Sequence, residues 1–175
     1  MTLRFGPALL LVTSWLVPAP GCVDETHEEE VDALGPEDPG VPRGPLHRPG
    51  QPCLTCHGGS GPAHHQFSIG GTVYTVQGQG SPPALGATVL VEDITGAVDT
   101  VQSNEVGNFY ITVQEWQPTY PTLPQVTLGS VNQQMTTHVG RDGSCADCHQ
   151  DPAGPTSAGH IYMMTGPAGS SDGGS

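Results

Sequence analysis

The chain has 175 residues, of which only 35% are hydrophobic, with 25 glycines and 18 prolines. That composition excludes long regular helices and a large apolar core, and leaves room for one small domain with tails. Four basic residues face 17 acidic ones, a formal net charge of −13 at neutral pH, which argues against nucleic acid and anionic lipid head groups as partners.

Residues 1–21 read as an export signal. Arg4 precedes an apolar run from Phe5 to Val17 that is too short, and too interrupted by Pro18 and Pro20, to span a membrane. The run ends at Ala19-Pro20-Gly21-Cys22. This resembles the lipobox of bacterial lipoproteins, although Ala19 stands where leucine is usual. The resemblance implies diacylation of Cys22 and a membrane anchor through it. Ordinary cleavage that leaves Cys22 as a free thiol is the alternative. Residues 22–46 have the composition of a tether: eight acidic residues lie between Asp24 and Asp38, followed by Pro/Gly pairs. Like charges repel and prolines extend, so the expectation is a disordered, solvated spacer.

Residues 47–66 carry Cys53-Leu54-Thr55-Cys56-His57, and residues 132–165 carry Cys145-Ala146-Asp147-Cys148-His149. Cys-x-x-Cys-His is the attachment signature of c-type haem: the two thiols add to the vinyl groups of one haem and the adjacent imidazole reaches its iron. Two copies predict two covalently bound haem c groups, which would also give a small domain the cross-links and apolar bulk it lacks. Arg48 and Arg141 lie five and four residues before the first cysteine of their motifs, where a guanidinium could hold a haem propionate. A solvated loop arginine is the equal alternative for each.

Between the motifs, residues 67–131 change character. Residues 67–76 are rich in β-branched side chains, and residues 87–92 alternate Ala87, Val89 and Val91 against Thr88, Leu90 and Glu92. Further strands are expected at Ala97 to Ser103, Phe109 to Val113 and Gln125 to Val131, separated by Gly-, Asn- and Pro-containing turns. Short strands at this spacing predict a mainly β fold, a small antiparallel sandwich flanked by two loop-rich haem-binding segments. Gly71-Thr72-Val73-Tyr74, Gly86-Ala87-Thr88-Val89, Asp93 to Gly96 and Gly107-Asn108-Phe109-Tyr110-Ile111 resemble the carboxypeptidase regulatory-like β-sandwich over about 65 residues. That resemblance bears on fold and not on peptidase activity. The Gly/Ser-rich residues 166–175 are expected to be disordered.

The whole layout, including Gly159-His160-Ile161-Tyr162 after the second motif, is similar to small multihaem cytochromes of metal-respiring and predatory proteobacteria over residues 47–164. The resemblance implies that Cys53, Cys56, Cys145 and Cys148 are thioether positions and that His57 and His149 are proximal iron ligands. Distal ligands are argued from the remaining residues. His27 lies in the acidic tether, whereas His47, His64, His65, His138 and His160 cluster around the motifs, as expected if each haem takes a second imidazole. Met135, Met163 and Met164 are rivals at the second motif only.

Because the motifs flank the sandwich, an even number of intervening strands brings both haems to one end. An odd number separates them by about 20 to 25 Å. The expectation is a shared end, since the Gly-rich loops around each motif need cover. The leading reading is electron transfer by an exported, lipid-anchored di-haem cytochrome of a bacterial cell envelope. Its partners would be basic redox proteins or other cytochromes. The alternatives are an adhesion lipoprotein with disulfide-bonded or zinc-bound thiols, and a haem peroxidase, which would need an open coordination site.

Overall fold

The computed structural model describes residues 25–59, 61–78 and 80–164. The expected export signal (1–21), Cys22 as the expected lipid-attachment site and the tail (166–175) lie outside these residues. Among the described residues no helix is long and apolar enough to cross a membrane.

The architecture is mainly β: among the described residues, seven short strands in two sheets enclose an apolar core. Strand β1 (Phe67–Val76) is central in the first sheet, whose order is β4 (Asn108–Thr112), β1, β7 (Ile161–Met164). The second sheet has the order β3 (Val98–Gln102), β2 (Thr88–Asp93), β5 (Thr122–Leu128), β6 (Val131–Gln134). All pairings are antiparallel except that of β1 with β7, which is parallel. Ile69, Val73, Val89, Val91, Phe109, Ile111, Val126 and Met163 fill the space between the sheets. The alternation in β2 is the one its sequence requires, with Val89 and Val91 inward and Glu92 exposed.

Three departures from the sequence expectation have local causes. Residues Gln125 to Val131 are not one strand, because Gly129, at φ +60°, and Ser130 turn the chain into the β5–β6 hairpin, where Leu128 pairs with Val131. Ile161 to Met164, assigned to the second haem-binding segment, belong to the sandwich as β7, so the domain limits at 131/132 and 165 do not separate sheet from haem segment. The acidic stretch contains helix α1 (Glu25–Ala33) and is no extended spacer there. Glutamate and alanine are good helix formers, Glu25 and Glu28 sit favourably in the first turn, and Gly35, at φ +69°, ends the helix ahead of Pro36.

The β2–β3 turn depends on one carboxylate. Asp93 accepts hydrogen bonds from the Thr95 hydroxyl (2.6 Å), the Thr95 amide (2.8 Å), the Thr119 amide (2.9 Å) and the Ala97 amide (3.1 Å). The Thr95 hydroxyl first, and then these amides, hold its pKa below the ordinary carboxylate value. A depressed native pKa contributes stability above about pH 4, which is lost as pH falls through the native value. Asp93→Asn is therefore expected to lower the melting temperature by several degrees at neutral pH, with the gap to the parent chain closing on acidification. Thermal melts at several pH values test this, and a gap independent of pH would refute it.

Candidate functional site

The two Cys-x-x-Cys-His segments meet on strand β1. The first motif is the five-residue helix α2 (Cys53–His57), and the second is a 3₁₀ turn over Cys145–Asp147. Successive strand residues face opposite sides of a sheet. A Cβ on Gly70 would lie 3.1 Å from Cys53 Cβ, and one on Gly71 would lie 2.8 Å from Cys145 Cβ and 2.9 Å from Phe109 Cζ. Cys53 thus rests on the outer face of β1, while Cys145 enters from the core side, where it packs against the apolar cluster. The chain ahead of the second motif is held by a parallel bridge between Gly70 and Ser144 and by a hydrogen bond from the Gly70 amide to Gly143 O (2.9 Å). Six strands, an even number, separate the motifs, and both come to one place.

The first site is a cavity of about 640 Å³, within the size range of cofactor pockets. Cys53, Cys56 and His57 line it, together with Phe67, Phe109 and Tyr110 from the sheet. Three distal candidates, His47, His64 and His65, line it too. The His57 Nδ1 is hydrogen-bonded to His65 O (2.7 Å), which leaves Nε2 as the free nitrogen. Burial, the largest cause, pushes the His57 pKa down and favours the neutral imidazole that a metal requires. The His47 Nδ1 is likewise bound to a backbone carbonyl, that of Gly44, and the His47 and His57 ring centres are 5.8 Å apart.

His47 is held there by a relay that the sequence does not announce. The Gly50 amide donates to Thr72 Oγ1 (2.7 Å), Thr72 Oγ1 donates to Asn108 Oδ1 (2.8 Å), and Asn108 Nδ2 donates to His47 O (2.9 Å). Asn104 Nδ2 adds a bond to Pro45 O (2.7 Å). Thr72 sits on β1, Asn104 in the turn before β4 and Asn108 at the start of β4, and their role follows only from tertiary pairing.

The second site is more open. Cys148 is exposed and His149 half-buried, with His149 Nδ1 bonded to Gly159 O (2.9 Å), the same arrangement as at His57. Its distal candidates are scattered. His138 is exposed beyond β6. His160 stacks on Tyr74 (4.6 Å between ring centres), pairs with Asp151 (3.3 Å), and has Nε2 3.4 Å from where a Gly50 Cβ would lie. Met163 is 1% exposed and belongs to the core, which corrects its reading as a distal ligand, since a strand side chain packed between sheets is not free to reach a metal.

The arginines divide. Arg48 lines the first cavity, and its guanidinium donates to Leu34 O (3.1 Å), Gly35 O (2.6 Å) and Gln51 Oε1 (2.8 Å), fastening the end of α1 to the first motif. Arg141 is exposed at a separate cavity of about 490 Å³ that includes Leu54, Tyr120 and Asp142. Arg43, overlooked in the sequence because it lies well before the motif, also lines the first cavity and pairs with Glu37 (3.4 Å).

These residues fit covalent haem at the first site on three counts: two thiols beside an imidazole, an aromatic-lined cavity of suitable size, and ring nitrogens fixed by carbonyls. The second motif has the proximal half of that arrangement. Among the described residues no group of three or more His, Cys, Asp or Glu side chains is arranged to hold a bare metal ion, and all four described cysteines are free thiols. Compared with protein-family models, curated proteins and solved structures, the chain has no significant match in any of the three.

The packing on β1 makes the thiols unequal. Burial pushes the Cys53 pKa up to about 11 and that of Cys145 up to about 12. In the haem-free protein, alkylation followed by peptide mass mapping should find Cys148 modified at least ~10-fold faster than Cys145. Gly71→Ala, which crowds Cys145 and Phe109, should accelerate Cys145. Equal rates for Cys145 and Cys148 in the parent chain would show that the second motif is not seated on the strand.

Proposed function

We propose that this protein is an exported, lipid-anchored di-haem c-type cytochrome that transfers electrons and performs no bond chemistry. The observation that carries the reading is the placement of His47 and His57, with ring centres 5.8 Å apart, in a cavity lined by Cys53 and Cys56, each ring with Nδ1 tied to a backbone carbonyl and Nε2 left free. The observed 5.8 Å supports His47 as the distal ligand over His64 and His65, both exposed.

On this reading Cys53, Cys56, Cys145 and Cys148 carry the thioethers and His57 and His149 are the proximal ligands. Bound haem supplies one-electron chemistry at iron. The protein's part is to hold both imidazoles in one tautomer, to exclude water with Phe67 and Phe109, and to keep the two motifs on one strand. The acidic balance suits a basic redox partner or a second cytochrome. Cys22 anchors the protein to the cell envelope.

Production with a c-type maturation system, followed by intact mass and visible spectroscopy, tests the reading. Two covalent haem additions with low-spin bands are expected, and a colourless protein of unmodified mass would refute the proposal. High-spin bands that shift with cyanide or peroxide would favour the peroxidase alternative. His47→Ala should turn one of the two haems high-spin, whereas His64→Ala and His65→Ala should leave both low-spin. If His47→Ala leaves both haems low-spin, His47 is not a ligand.

A further inference from the structure

We propose that Phe67 is a positioning residue for the His57 imidazole, and that through it the sheet fixes the ligand plane at the first Cys-x-x-Cys-His site and not at the second. The inference rests on the haem reading above. An imidazole held only by Nδ1 keeps freedom to tilt about its hydrogen bond. At His57 that freedom is removed. The Phe67 ring lies 4.1 Å from His57, centre to centre, with 3° between planes, and Tyr110 lies 4.4 Å beyond Phe67 at 11°. The hydrogen bond to His65 O sets the edge of the ring, and the stack sets its face.

The anchoring point matters as much as the contact. Helix α2 has five residues and no side-chain cap, so it is a poor platform for a ring that must keep one orientation. Phe67 begins β1, and Tyr110 stands on β4 opposite Gly70. The His57 plane is therefore referenced to two paired strands. His149 has the corresponding hydrogen bond, to Gly159 O, but among the described residues no aromatic ring stacks on it. Ligand-ring orientation is a lever on the electronic structure of a bound metal, so the two sites differ by construction and each serves as a control for the other.

Low-temperature electron paramagnetic resonance of the oxidised, doubly loaded protein, with a redox titration alongside, tests this. Phe67→Leu should shift one low-spin signal and one midpoint potential and leave the other pair in place. Phe67→Tyr, which keeps the stacked ring, should restore the parent spectrum. Tyr110→Leu, one ring further out, should move the same signal less, and it tests the stack independently if Phe67→Leu folds poorly. Two covalent haems by mass with unchanged spectra in Phe67→Leu and Tyr110→Leu would overturn the proposal alone, as would equal shifts at both haems. A parent chain that takes up no haem would overturn the cytochrome reading, and this inference with it.

Discussion

Everything in this molecule depends on how closely two segments approach one strand. At Gly70 and Gly71 the backbone of β1 presents no side chain to either face, and the first cysteine of one motif occupies each space. Glycine in a strand interior ordinarily weakens it, since it gives up packing and conformational restriction. Here β1 is secured along both edges instead: by β4 on one side, and on the other by Ser144 and then β7, which follow the second motif's path back into the sheet. The second motif is thus inserted between two pairings with the same strand. Its position is set by β-sheet hydrogen bonds, which constrain it far more tightly than a surface loop.

The first motif is fixed by a different force. Thr72 and Asn108 are buried polar side chains, and a buried polar group without a partner costs about 1–3 kcal/mol. Each is satisfied by the segment that carries His47 and Gly50. The sheet therefore requires that segment as much as the segment requires the sheet. Arg48 extends the same logic outward. Its bonds to Leu34 O and Gly35 O supply partners for carbonyls at the C-terminal end of α1, and so bring Leu34 and Glu37 to the cavity wall. The first site is assembled from an acidic arm, a motif and a sheet, none of which encloses a cavity alone.

How much of this could be read in the chain differs by feature. Strand β1 was legible to the residue, because a β-branched run bounded by turn residues admits few other structures. The β5–β6 hairpin was not, because Gly129-Ser130 is a weaker turn signal than Asn-Gly or Pro-Gly and the apolar residues continue on both sides. Helix α1 was hidden by giving charge repulsion more weight than helix propensity. At the site, the cysteines and adjacent histidines were legible because covalent chemistry dictates their spacing. His47 could not be separated from His64 and His65, since all three are near in sequence and only the Asn108 relay distinguishes one of them. Met163 was misread because its sequence neighbourhood is the second motif while its structural neighbourhood is the core.

The unequal enclosure of the two motifs has a consequence for the proposed electron transfer. Removing a site from water disfavours added charge, and nearby carboxylates favour positive charge, so burial and surface charge are separate levers on potential. The first site is walled by aromatic rings, while the second lies beside Asp142 and Asp147, with Cys148 exposed. The Asp147 carboxyl is pushed above the ordinary carboxylate value, by partial desolvation first and then by the neighbouring Asp142. On the cytochrome reading the exposed, acidic second site suits contact with a basic partner. A partner drawn by charge at long range would then be sensitive to ionic strength. The step from the second site to the first would not, because the strand between them fixes their separation whatever the salt concentration.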